Sequence, residues 1–222
     1  MLINSKYSWN WKYLFKYELS SLIGRIFFSK PPPTKNKINL LHLGCGENYF
    51  DEFINADFFY LRWMPCRDKS KYDWLLDFRY PLNCPKNYWD GVFSEHTLEH
   101  LTFEDNLKLF KELNRTMKKD SWLRICVPGL DEVLDAYSSN PSQDGKMLKI
   151  KYPYLTRAEA IHHLTQDYGH QSVWDADLFT ELLESANFRN CQKVSFMKGN
   201  DPKLLKDNPD RMLGSIYFEA QK

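Results

Sequence analysis

From residue 38 onward the chain alternates short apolar runs with amphipathic stretches. Residues 38–43 form an apolar run without regular polar alternation, the pattern of a strand buried on both faces. Further strands are predicted at 53–57, 74–77, 91–94 and 123–127. Between the last two, Leu107, Phe110, Leu113 and Met117 recur at helical spacing. Glu104 and Asp105 fall in the first turn of that helix and Lys118 and Lys119 at its end, which suits the helix dipole. Shorter helices are expected at 130–137 and 157–164, and another through Phe179, Leu182, Leu183 and Ala186, capped by Asp175 or Asp177. Residues 188–196 and 215–220 read as two strands with no helix between them. Ahead of all this, residues 7–28 read as a helix rich in Trp, Tyr, Phe and Leu, ended by Pro31-Pro32-Pro33. The predicted organisation is an aromatic helical extension (1–30), a proline-rich linker (31–37) and one domain (38–222). Strands alternating with helices imply a mostly parallel sheet with helices on both faces and right-handed crossovers. The last two strands should close it as an antiparallel edge hairpin.

Composition narrows the function classes. At 222 residues with a net charge of +1, the chain holds one sizeable domain and lacks the basic face of a nucleic-acid binder. Cys45, Cys66, Cys84, Cys126 and Cys191 are odd in number and show no C-x-x-C, which predicts reduced cysteines in a cytoplasmic protein. No uncharged apolar run is long enough for a transmembrane helix, and Lys12, Lys16, Glu18 and Arg25 interrupt any signal-peptide core.

In such sheets ligands bind beyond the carboxyl ends of the strands, at the point where strand order reverses. Gly44, Asp57, Asp77 and the run Ser94-Glu95-His96 all fall at predicted strand ends. Gly44 and Gly46 allow a tight turn and close approach of a ligand, and Asp57 can accept both hydroxyls of a ribose. A dinucleotide fingerprint wants a third glycine where Tyr49 stands and an acid about 20 residues on. Asp57 comes only 13 residues after Gly44, which argues against a nicotinamide cofactor.

The segment His42-Leu43-Gly44-Cys45-Gly46 resembles the glycine motif of class I S-adenosylmethionine-dependent methyltransferases. Asp77-Phe78-Arg79-Tyr80-Pro81-Leu82 and Trp89 to Leu101, with its Glu95-His96-Thr97-Leu98-Glu99-His100 core, resemble the family's third-strand acid and fourth-strand ending. Residues 109–128 are similar to its next helix and strand. The resemblance implies a Rossmann-like fold that binds S-adenosylmethionine. Leu43, Gly44, Cys45 and Gly46 would face the methionyl part, Asp57 the ribose, and Asp77 with Phe78 the adenine; Ser94 and Glu95 would complete the site. It further suggests relatives associated with surface-saccharide synthesis and a small-molecule acceptor, a sugar or nucleotide-sugar. His96 and His170 are the candidates for a general base.

Rival readings remain open. His96-Thr97-Leu98-Glu99-His100 has the H-x-x-E-H form of a zinc hydrolase, but His96 should sit at a strand-to-helix bend rather than in a helix, so no metal is expected there. The fold could also serve as a non-catalytic scaffold. His162, His163, Asp167, Tyr168, His170 and Trp174 are expected to line an acceptor pocket. The N-terminal helix, with Trp9, Trp11, Phe15, Leu19, Leu22, Ile26 and Phe27, is expected to pack its aromatic face on the domain or close over the site, with peripheral membrane contact as the alternative. The oligomeric state is not legible.

Overall fold

The computed structural model describes residues 11–33, 37–58, 71–154 and 156–222. Cys66, Trp9 and the start of the predicted N-terminal helix lie outside them. Seven strands, β1 (Leu40–Leu43), β2 (Phe53–Asp57), β3 (Trp74–Leu75), β4 (Trp89–Glu95), β5 (Met117–Pro128), β6 (Arg189–Val194) and β7 (Ser215–Gln221), form one sheet in the order β3-β2-β1-β4-β5-β7-β6. Pairs within β3-β2-β1-β4-β5 are parallel, whereas β7 runs antiparallel to both β5 and β6. This is the Rossmann-like α/β sheet with the antiparallel edge hairpin that the alternation predicted. Strand order reverses between β1 and β4, so their carboxyl ends face the crevice where ligands bind.

Alternation along the strands separates two faces. Leu41, Leu43, Ile54, Ala56, Val92, Leu123 and Ile125 point into the main core, with α2 (Phe103–Thr116) and α6 (Ala176–Ser185) packed on them. On α2, Leu109, Phe110 and Leu113 are almost fully buried, and each contributes roughly 1.5–3 kcal/mol of hydrophobic stabilisation. The opposite face carries Leu40, Phe53 and Phe93, closed by Leu204. Fully buried Arg124 also points to that side, its guanidinium held by Asp207 and Glu219 at 2.5–2.8 Å. This network pins the long connection between β6 and β7, which supplies Asn208 and Arg211 to the site, with Ser215 following at the start of β7.

Several boundaries depart from the expected ones. Helix α2 stops at Thr116, not at Lys119, because Met117 already pairs with Trp89 as β5 begins; Arg115 is the basic residue of its last turn. Asp120 takes a left-handed backbone (φ 65°) within β5. Helix α4 (Gln143–Lys151) was not expected, because its Ser142 cap and Gly145 look like loop residues. A Cβ on Gly145 would collide with Asp135 and the backbone of Ala136, so glycine lets α4 lie against α3 (Leu130–Ala136). Helix α5 (Arg157–Gln166) was expected, and Asp175 is the cap of α6, accepting the Leu178 N–H at 2.9 Å.

Helix α1 (Trp11–Phe27) packs on the domain, but through the face opposite to the one expected. Ser20 and Ser21 are buried, and a Cβ on Gly24 would stand 3.3 Å from Leu75. Small residues allow this close approach. Phe15 (65% exposed), Leu22 (46%) and Ile26 (60%) face outward instead. The Phe28 carbonyl accepts the Trp74 indole N–H at 2.7 Å, Arg25 lies over the Tyr80 ring, and Glu18 binds Arg79 at 2.8 Å. Among the described residues no helix is long and apolar enough to cross a membrane.

Candidate active site

The turn after β1 is built by two left-handed glycines, Gly44 (φ 68°) and Gly46 (φ 53°). The N–H groups of Gly44 and Cys45 both donate to the Ala56 carbonyl, at 2.9 and 3.2 Å. A Cβ on Gly44 would overlap the Thr97 side chain, whereas nothing lies within 4 Å of a Cβ on Gly46. One glycine lets the segment after β4 close on the turn; the other leaves the turn's face open. Asp57, at the end of β2, accepts the Gly46 N–H on Oδ2 and the Phe58 N–H on Oδ1, both at 2.6 Å. Cys45 is buried, and burial, reinforced by the Asp57 carboxylate, pushes its thiol well above the ordinary range. It stays a neutral thiol rather than a nucleophile. Beneath the turn, His42 contacts Asn55 at 3.3 Å and is packed among Phe50, Phe53 and Phe93; burial lowers its pKa to about 4.

Asp77 is buried and gripped by the fork of Arg79, with Nη2–Oδ2 at 2.7 Å and Nε–Oδ1 at 3.0 Å. The Arg79 N–H adds a third bond at 3.1 Å. Phe78 packs into the main core.

At the end of β4, Ser94 donates its hydroxyl to the Leu43 carbonyl at 3.3 Å, and Thr97 donates to the same region. Glu95 points instead to the β6–β7 connection. It accepts the Asn208 N–H at 2.9 Å and has Arg211 3.9 Å away, while burial raises its pKa. His96 takes a left-handed backbone (φ 51°), which turns the chain from strand to a single 3₁₀ turn, Leu98–His100. This strained conformation is uncommon outside glycine. Its Nε2 contacts the Ser215 hydroxyl at 2.9 Å, and its Nδ1 lies 3.6 Å from Glu99 Oε1.

Glu99 is 2% exposed, and neither carboxylate oxygen has a hydrogen-bond partner. Its Oε1 is 3.9 Å from Nε2 of His100, whose side chain is 43% exposed. Burial pushes Glu99 up to about 8, His96 down to about 3 and His100 down to about 4, and lowers His170 as well. The segment carrying His170 is strapped to this turn: Gln171 N–H and Ser172 N–H donate to the Glu99 carbonyl, and the Gln171 side chain donates to the His100 carbonyl at 2.7 Å. His170 Nδ1 donates to the Leu164 carbonyl at 2.7 Å. From it a series of neighbouring rings runs His100–His170–Tyr168–His163–Tyr154, with centroids 4.9–6.0 Å apart.

A family model described as Methyltransferase domain matches residues 11–193. The chain belongs to this family. It is an S-adenosylmethionine-dependent methyltransferase. Its fold is similar to a SAM-dependent methyltransferase of Archaeoglobus fulgidus, with a TM-score of 0.54 at 17% identity over 96% of this chain and 100% of that one. A second, from Thermotoga maritima, aligns with a TM-score of 0.52 at 12% identity over 95% of this chain and 97% of that one. No curated protein matches the chain.

In the methyltransferase, the expected cofactor residues separate into two groups. Leu43, Gly44, Cys45, Gly46, Asp57, Asp77 and Ser94 gather around the turn and the neighbouring strand ends. The Glu95 carboxylate turns to Asn208 and Arg211, and the Phe78 ring, expected beside the adenine, is buried in the main core. His96, His100 and His170 do converge, with Glu99 at their centre. Trp174, expected in the acceptor pocket, is fully buried and stacks on Phe179 at 4.2 Å; its indole N–H is taken by Ser172. It is a core residue because the strand-like segment 172–174 turns it inward. Sequence reasoning missed Arg79, Arg211, Thr97 and Ser215. Thr97 is tied to the motif by the clash at Gly44 and by its bond to the Leu43 carbonyl. Arg211 and Ser215 meet Glu95 and His96 from the far end of the chain, and Arg79 turns back on Asp77 two residues before it.

Proposed function

We propose that the methyltransferase modifies a hydroxyl of a small polar acceptor of the sugar or nucleotide-sugar class, in the cytoplasm. One observation carries this reading. Neutral imidazoles and a wall of tyrosine and histidine rings meet at the same strand ends as the glycine turn. Ring faces suit the apolar faces of a sugar, and His163 with Asp167, 2.8 Å apart, offer polar partners to its hydroxyls.

The turn fits the cofactor. The open face at Gly46 gives the methionyl part room against the turn, and a carboxylate has about four acceptor sites, so Asp57 can hold both Gly46 and a ribose. Asp77 and Arg79 would border the adenine. Bound there, S-adenosylmethionine supplies a methyl group on a sulfonium. The chain's own residues orient the acceptor, exclude water and take its proton. Of the two expected bases, His170 is the better placed. Its Nδ1–H is committed to Leu164, so the proton-accepting lone pair is on Nε2. The His96 Nδ1 is turned to Glu99.

A screen of sugars, nucleotide-sugars and amines with labelled cofactor tests this. Labelled sugar product is expected, with turnover reduced about a hundredfold or more in His170→Ala, as for loss of a positioned base. Product from amines alone would overturn the acceptor class.

The outward stripe of Phe15, Leu22 and Ile26 favours a second property, peripheral contact of α1 with a membrane surface. Co-sedimentation with anionic vesicles, weakened by Ile26→Glu, is the expected result; equal recovery of both proteins in the supernatant would refute it.

A further inference from the structure

Glu99 is an anomaly in this site. A carboxylate buried without a donor or a cation is costly, and the neighbouring acids do not share that condition. Asp77 has Arg79, and Glu95 has Asn208 and Arg211. What surrounds Glu99 is imidazole. One ligand atom each from Glu99, His100 and His170 lie within 4.8 Å of one another.

The hydrogen bonds around the histidines determine where their lone pairs are. His170 gives its Nδ1 proton to a carbonyl, which can only accept, so in the neutral ring Nε2 is bare. Ser215 has a single hydroxyl proton and spends it on the Arg211 carbonyl at 2.7 Å. The His96 Nε2 must therefore donate to Ser215, which leaves a lone pair on Nδ1, facing Glu99. Lone pairs of nitrogen and oxygen thus converge on one small volume. Imidazoles oriented by a bond from the other ring nitrogen to a backbone carbonyl are how proteins fix metal-binding histidines.

We propose that Glu99, His100 and His170 bind a divalent transition-metal ion at the carboxyl edge of β4. The donor set is two imidazoles and one carboxylate, with no thiolate, which suits zinc, cobalt or iron(II) and disfavours magnesium or calcium, which prefer oxygen ligands. Ligand atoms about 2.1 Å from a tetrahedral zinc stand about 3.4 Å apart. The Glu99–His100 separation of 3.9 Å needs only a small side-chain adjustment to reach that. Two hydrogen bonds onto the Glu99 carbonyl already hold the two segments together. The set differs from the H-x-x-E-H reading of the sequence. There His96 and His100 would be ligands and Glu99 a base; here Glu99 is a ligand, His170 comes from a distant segment, and His96 stands beside the ion. With the ion on Nε2 of His170, that ring could no longer act as the base; the ion, open on the His100 side, would take over its role by holding an acceptor hydroxyl and lowering its pKa. That role rests on the methyl-transfer reading; the binding itself does not.

The test is calorimetric titration of the chelator-stripped full chain with zinc chloride, and with cobalt chloride followed by visible absorption. One zinc per chain at micromolar or tighter affinity is expected, with cobalt bands of a low-symmetry four- or five-coordinate site and no response to magnesium. Glu99→Gln, which keeps size and shape, and His170→Ala should each weaken zinc binding at least a hundredfold while circular dichroism and cofactor affinity stay as in wild type. No stoichiometric zinc, or equal affinity in both variants, overturns the proposal. Methyl transfer that persists in stripped protein overturns the ion's role and leaves the methyltransferase reading standing.

Discussion

Asp57 and Asp77 on the β2–β3 side are each met by two or more N–H donors, while Glu99, on the β4 side and equally buried, is met by none. The contrast separates two kinds of work. Donors around an acid fix its direction, which suits an acceptor that must recognise the same hydroxyls at every turnover. An acid without donors keeps its proton or takes a cation, which suits a place where charge is handled during reaction. On the proposed reading, one sheet edge carries a rigid recognition half and a reactive half.

The largest break in this comparison should come from Asp57→Ala. Losing a charged acceptor of the ribose is expected to weaken S-adenosylmethionine by roughly 1.5–3 kcal/mol, about 10- to 150-fold, in calorimetry on the folded variant. Unchanged affinity would make Asp57 only a clamp on the Gly46 turn. Next in size is a pair of isosteric changes read by thermal unfolding of chelator-treated protein. Asp57→Asn should destabilise and Glu99→Gln should stabilise, each by about 1–3 kcal/mol, with melting shifts of about 2–4 °C per kcal/mol. Shifts of the same sign would erase the distinction between the two halves.

His42 supplies a control, a buried histidine with a polar partner and no carboxylate. Its folded pKa of about 4 lies below the ordinary 6.5, so the unfolded chain binds more protons between those values. Stability should therefore fall as pH drops from 6.5 toward 4 and level off below. His42→Gln should flatten that slope by up to one proton, about 1.4 kcal/mol per pH unit, in denaturant titrations across the window. A slope identical to wild type would mean His42 is not buried as described. The smallest effect belongs to Glu18→Ala. It removes a half-exposed partner of Arg79, and its cost should stay below about 1 kcal/mol in the same titrations.

What was legible in the sequence was local. The Gly44–Gly46 turn, the strand ends at Asp57 and Ser94 and the Asp175 cap all follow from residues close together in the chain. Helix α4 was hidden because Ser142 and Gly145 carry the chemistry of loops, and only the close approach to Asp135 and Ala136 explains the glycine. The length of α2 was misjudged because Met117 answers to Trp89 across the sheet rather than to helical spacing. The outward face of α1 was misassigned because aromatic residues usually mark the packed side; here Ser20, Ser21 and Gly24 make the approach. The Glu99–His170 meeting is invisible in one dimension, since nothing near either residue names the other.

Arg79 touches both Asp77 and Glu18, so the proposed adenine corner and α1 share one guanidinium. Binding reciprocity then follows. Any surface that draws α1 away from the domain would alter cofactor affinity, and bound cofactor would alter the affinity for that surface by the same factor. Exposed ion pairs are worth at most about 1 kcal/mol, so the factor is about fivefold at most. Such a link grades occupancy by location in the manner of a dimmer, and it cannot act as an on–off switch.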